Sequence, residues 1–262
     1  MLRKLLKYDL KYMLKLISIF YLLSLFFAIT TRMLFSLETT VIINIISQIS
    51  VGCLFAMLVN TLINTIMRSW VRFKDFTYGQ ESYLTHTLPV TKRNIYESRF
   101  ILTLIYLLSG FLIIVISLFI TYYTKERWLM LSEFINNIST NINITTTAFV
   151  IFLLIILFLE ILNVIQSGYL GIILGHKKNN NKIGFSVLFG FITYIISQIS
   201  VLIIFFIAGI FNKNIMQIFI SNTIGSNTIK TIIILAILAY SFVIFIINML
   251  CVKSLNKGVN IE

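Results

Sequence analysis

Apolar residues in this chain come in six long runs rather than in alternation with polar ones. The runs cover residues 16–37, 41–67, 100–124, 145–175, 183–211 and 231–252, and charged or amide-rich segments separate them. Each meets or exceeds the roughly 20 residues that a helix needs to cross about 30 Å of hydrocarbon. One proline and eleven glycines leave the runs unbroken, as helices require, and the alternating ten-residue segments of a membrane β-barrel are absent. The pattern predicts an all-α membrane protein with six transmembrane helices. Composition agrees: 58% of the 262 residues are hydrophobic and 11% charged, far from soluble usage.

The net charge of +12 would raise the question of nucleic acid in a soluble domain. Here the basic residues flank the apolar runs, so they bear on topology and on anionic lipid headgroups. Of the 21 Lys and Arg residues, sixteen fall in segments 1–15, 68–99, 176–182 and 253–262, and five fall on the other side, Arg32 included. That bias predicts both termini in the cytoplasm. A cleaved signal peptide over residues 1–31 is the rival reading; a long basic region without a small-x-small site disfavours it. Within residues 1–15, Arg3, Lys7, Lys11 and Lys15 step by four opposite Leu2, Leu6, Leu10 and Met13. This predicts an amphipathic helix lying in the headgroup layer, with Asp9 its one blemish.

Segments 125–144 and 212–230 are too apolar for water and too short to span, which predicts interfacial or re-entrant helices. Trp128, Leu131, Ile135 and Ile138 mark the first, and "NIMQIFI" the second. "IISQISV" occurs twice, at 45–51 and 195–201, with unmatched flanks, so chance explains the repeat. It leaves Gln48 and Gln198 at membrane depth, in need of partners across helix interfaces. Asn44, Asn60 and Asn64 add scattered polarity, and a pathway along spans two and five is expected there. Glu160 is the one acid inside a span, with Asn163 and Ser167 on its face and Gly171 and Gly175 continuing it. An intramembrane acid is costly and marks either a proton or cation site or a hydrogen-bonded structural acid. Ser167, Gly171 and Gly175 form a small-xxx-small seam for close helix approach.

No catalytic residues are assigned. The chain has no GxxxxGK[ST] loop, no HExxH and no serine elbow, and "LLSGF" at 107–111 lies within a span. Cys53 and Cys251 fall in apolar runs as small hydrophobes, and His86 and His176 stand alone on loops, where a solvated state is expected. No metal site and no cofactor are read in this chain.

The segment between spans two and three carries the most information. "ESYLTHTLPVTKRNIYESRF", residues 81–100, holds the sole proline, Pro89. Pro89 disfavours helix at Leu88 and suits a new helix start just after it. A short helix around residues 80–88, a corner at Pro89 and a helix running into span three are predicted. Such an elbow would transmit a push into span three.

An acid, the "YLTHTLPV" core and a basic helix entering span three resemble the cytoplasmic loop of ABC-2 type permeases. The resemblance is to the small six-span permeases of low-GC Gram-positive bacteria, of the peptide export and immunity type, and runs over the whole chain. It implies an ABC-2, type V exporter-like permease fold with residues 68–99 as a coupling loop. Glu81, Tyr83, Leu84, His86, Leu88 and Pro89 would dock in a groove of a separate ATP-binding cassette subunit, with Lys92 and Arg93 at the rim. ATP and Mg would be bound by that partner, not by this chain. The implied assembly has two ATPase subunits and two permease chains, as a homodimer or a heterodimer, in the plasma membrane of a bacterium. The cargo would be hydrophobic or amphipathic, peptides included. The rival readings are a stand-alone secondary transporter or channel with Glu160 as coupling acid, and a non-transporting membrane partner such as a sensor.

Overall fold

Long apolar stretches without proline close backbone hydrogen bonds within themselves, and the chain accordingly folds as helices. The structure, a computed structural model, describes residues 2–37, 40–79, 81–87, 91–212, 215–216 and 225–258. Its helices are α1 (Leu2–Phe35), α2 (Val41–Tyr78), α3 (Ser82–Thr87), α4 (Lys92–Tyr122), α5 (Lys125–Ile142), α6 (Thr146–Gly175), α7 (Lys182–Phe211) and, called α8 here, Ser226–Asn256. No strand occurs among the described residues. Six helices are long and apolar enough to cross a membrane: Asp9–Phe35 within α1, then α2, α4, α6, α7 and Thr228–Asn256 within α8. The chain is thus built as a multi-pass membrane protein.

Two features differ from the sequence pattern. Residues 2–15 do not form a separate interfacial helix; they are the opening turns of α1, which runs unbroken to Phe35. Residues 2–35 contain no glycine or proline to interrupt it. Likewise α2 continues eleven residues past the apolar run ending at 67, so its 38 residues span about 57 Å. Segment 125–144 is helical as α5 over Lys125–Ile142, with Ile135 and Ile138 half-buried. Most of "NIMQIFI" lies outside the described residues.

The chain divides into two compact units, one of residues 1–72 and 94–130, the other of residues 73–93 and 131–262. In the first, α1 packs on α2 and α4. Ile17 and Tyr21 of α1 join Leu102 and Tyr106 of α4 in one buried cluster; Ala28 joins Leu54 and Leu58 of α2 in another. Hydroxyl pairs stitch these contacts: Thr31 with Ser50 at 2.7 Å and Tyr21 with Ser109 at 2.8 Å. Small side chains allow this close approach where lipid offers no hydrophobic drive. Near the start of α1, Asp9 is 4% exposed and receives two guanidinium groups. Arg72 of α2 reaches its Oδ1 with Nε at 3.0 Å and Nη2 at 2.5 Å; Arg99 of α4 reaches Oδ2 at 2.5 Å. The hydroxyl of Tyr106 donates to the Asp9 carbonyl at 3.0 Å.

In the second unit, α6, α7 and α8 pack together. Asn181, at φ 47°, caps α7 by accepting from the Gly184 N–H, which turns the chain sharply between α6 and α7. The two helices then touch backbone to backbone. A Cβ at Gly171 would overlap the Gly190 backbone and lie 2.6 Å from the Ser186 carbonyl oxygen, and one at Gly175 would overlap Ser186. The small-residue seam of span four therefore faces span five. Just past the end of α6, burial and the Lys257 ammonium hold Lys177 below the usual lysine range.

Candidate functional site

Two places concentrate polar side chains: an intramembrane layer in the second unit, and the elbow around α3. The layer is built from the one acid of the spans. Glu160 sits on α6, where its carboxylate needs donors that lipid cannot supply. Its Oε1 accepts from the Tyr194 hydroxyl and from Gln198 Nε2 of α7, both at 2.8 Å. Gln198 Oε1 in turn accepts from the Tyr240 hydroxyl of α8 at 3.0 Å. One carboxylate thereby ties three helices through a fixed donor sequence, since the Gln198 amide can donate at one end only if it accepts at the other. One turn on, Asn163 donates from Nδ2 to Ser197 Oγ at 2.9 Å. Antiparallel α6 and α7 bring Asn163 opposite Ser197 and Glu160 opposite Gln198, so the two rungs are adjacent.

The layer has a second character. Glu160 Oε2, Asn163 Oδ1, both amide atoms of Gln166 and the Ser167 hydroxyl are buried and bond no described residue. Asn163 and Gln166 are fully buried, at 0% exposure. Buried polar atoms without partners are rare and costly, and more so in a low dielectric.

The expected pathway residues divide between the units. Glu160, Asn163 and Gln198 come together on α6 and α7. Asn44, Gln48, Asn60 and Asn64 all lie on α2, in the first unit. There Asn44 and Gln48 are exposed, and Asn64 donates to Asn60 Oδ1 at 2.6 Å and to its carbonyl at 2.9 Å. Gln198 thus has its cross-helix partners, whereas Gln48 turns outward. Tyr194, Ser197 and Tyr240 were not singled out by the sequence pattern, nor was Gln166. The signal was available: a lone acid in a span demands donors, and Tyr194 and Gln198 share a helix face at i, i+4.

At the elbow, the chain leaves α2 at Tyr78, forms α3 over Ser82–Thr87 and enters α4 at Lys92. Glu81 and Arg93 are exposed and Lys92 is half-buried. Tyr83 projects from α3 with 75% of its surface exposed. Leu84 and His86 belong to α3, and their side chains lie outside the described residues, as do Leu88 and Pro89 altogether. Beside the elbow, α2 is anchored by two stacked pairs, Phe73 on Tyr169 at 4.3 Å and Tyr78 on His176 at 4.2 Å. His176 is therefore not the solvated loop histidine that its sequence surroundings suggest. It is 5% exposed, its Nδ1 lies 2.9 Å from the Ile172 carbonyl, and the extra turns of α2 place Tyr78 over its ring.

No protein-family model, curated protein or solved structure matches this chain.

Proposed function

We propose that this chain is the membrane-spanning subunit of an ATP-driven exporter, worked by a separate ATPase that docks on α3. The observation that carries this reading is α3 itself, a two-turn helix between two long helices, with Tyr83 presented to solvent. A tyrosine that is three-quarters exposed beside charged neighbours suits a protein groove, because aromatic anchors dominate such contacts. Force applied to α3 would pass into α2 and α4, which are both continuous from the elbow into their spans. ATP and Mg would bind the partner, and this chain would carry no catalytic residue. Two permease chains and two ATPases would complete the assembly, in a bacterial plasma membrane with both termini cytoplasmic. A cargo that is hydrophobic or amphipathic fits spans with few fixed charges.

Co-purification tests the reading. An ATPase encoded beside this chain should be retained on the tagged full-length protein, and Tyr83→Ala should cut the recovered ATPase about tenfold, the loss of roughly 1.4 kcal/mol. Undiminished retention would remove α3 as the docking element.

A second reading has its own support. Glu160 keeps one carboxylate oxygen without a partner, as the coupling acid of a stand-alone transporter would. Solute uptake or efflux by the purified chain in vesicles, with no ATPase present, would favour it.

A further inference from the structure

The five unpartnered buried atoms along α6 are not chemically balanced. With Glu160 as a carboxylate, its Oε2, Asn163 Oδ1 and Gln166 Oε1 can only accept; Gln166 Nε2 can only donate; the Ser167 hydroxyl can do either. Oxygen acceptors are in surplus, and one belongs to a carboxylate. Glu160 forms no ion pair with a lysine, arginine or histidine among the described residues. The titratable groups around it are the tyrosines 194 and 240, which supply neutral hydroxyls.

Two of these groups, Glu160 and Asn163, are also held in place. Glu160 is fixed against Gln198 and Asn163 against Ser197, consecutive residues of α7, so their free oxygens belong to adjacent rungs. Gln166 and Ser167 follow one turn deeper, and helical side chains lean back toward the start of their helix, here toward Asn163. Below them the seam of Gly171, Gly175, Ser186 and Gly190 is closed by backbone contact. Glu160 itself is half-buried.

We infer that Glu160, Asn163, Gln166 and Ser167 form an intramembrane binding site for a small monovalent cation. Carboxylate, amide and hydroxyl oxygens suit hard cations. A single carboxylate neutralises one positive charge; a divalent ion would keep net charge in a low dielectric, which is strongly disfavoured. That chemistry fits an alkali metal ion; a hydronium ion would pass its proton to the carboxylate. The site goes beyond the ATP-driven reading and stands without it.

The test uses the full-length protein purified in lipid discs. Its melting temperature is measured in sodium, potassium and choline chloride at matched ionic strength, at mildly acid and mildly alkaline pH. An alkali ion in the site raises the melting point over choline by roughly 3 °C or more, as ligand linkage requires. That increment disappears in Glu160→Gln and in Asn163→Ala, and survives in Ser200→Ala, which lies off this face. Equal melting in the three salts, with an acid-side rise that Glu160→Gln abolishes, is protonation of Glu160 alone and overturns the cation site. Saturable binding of radiolabelled sodium to the wild-type protein checks the alkali case even if the variants fail to fold. Melting that is the same in every salt and at both pH values, with no saturable sodium binding, overturns the inference.

Discussion

Replacing Asp9 by alanine is expected to destabilise the protein by about 3–5 kcal/mol, the cost of removing one member of a buried ion pair. The carboxylate is 5% exposed and Arg99 2%, so water replaces it poorly; Arg72, at 16%, recovers more. Two guanidinium groups would then repel each other where one acid had held both. The loss is not confined to electrostatics, because Asp9 joins α1 to α2 and α4, the helices that enter and leave the elbow. Thermal unfolding in detergent, read beside limited proteolysis, measures it. A compensated variant separates the clasp from a general intolerance of change. With Asp9→Leu and Arg99→Met together, the double substitution should cost less than Asp9→Leu alone, since it removes one of the two guanidinium groups that Asp9 holds. A shift within about 0.5 kcal/mol for Asp9→Ala would mean that the arginines find other partners or water.

Much of the fold was legible because it rests on length and apolarity, which are local. Any uninterrupted run of about 20 apolar residues can become a spanning helix, and each of the six forms a helix long and apolar enough to do so. The short helix before Pro89 and the unbroken helix after it were readable for the same reason, since proline chemistry is local. What escaped depends on contacts between distant residues. Residues 68–78, "RSWVRFKDFTY", look like a loop by hydropathy, yet they continue α2 because Arg72, Phe73 and Tyr78 each find a partner far along the chain. Asp9 reads as a flaw in an amphipathic pattern until Arg72 and Arg99 are seen on it. His176 reads as solvated until Tyr78 covers it.

The candidate site divides along the same line. That Glu160 needs company follows from its place in a span, and its face with Asn163 and Ser167 follows from helical spacing. That Gln198 answers it depends on how α6 and α7 are aligned, which the glycine seam sets. Asn44 and Gln48 carry the same amide chemistry, yet they sit on the outer surface of α2, because a span's facing cannot be read from its own residues alone. Burial in such a chain therefore carries information that hydropathy lacks. The buried α6 positions 163, 166 and 167 are polar in a helix whose exposed positions past its first turn, 151, 153, 154, 155 and 157, are all Ile or Leu. On α6 the amides are confined to buried positions, whereas α2 exposes Asn44 and Gln48.

The glycine seam makes the second large effect. Gly171→Ala adds one methyl group where α6 meets the backbone of Gly190, and no side-chain rotation can make room. Helix propensity favours alanine by about 1 kcal/mol, so any net loss must come from forcing α6 and α7 apart. Overpacking of this kind costs about 1–3 kcal/mol or more, and the fixed backbone on both sides places this site at the upper end. Gly52→Ala is the matched control, since a Cβ there meets nothing within 4 Å. It should be neutral or stabilising by up to about 1 kcal/mol. The consequence reaches the polar layer, because the separation of α6 and α7 fixes the reach of Asn163 to Ser197 and of Glu160 to Gln198 and Tyr194. Those bonds are 2.8–2.9 Å long, and a few tenths of an ångström at the seam would loosen them. Gly171→Ala should therefore lower the melting temperature and also weaken any cation-dependent stabilisation, without altering a ligand-bearing side chain. If alanine at 171 is as well tolerated as alanine at 52, the two helices are not in backbone contact, and the register that assembles the Glu160 layer must be set elsewhere.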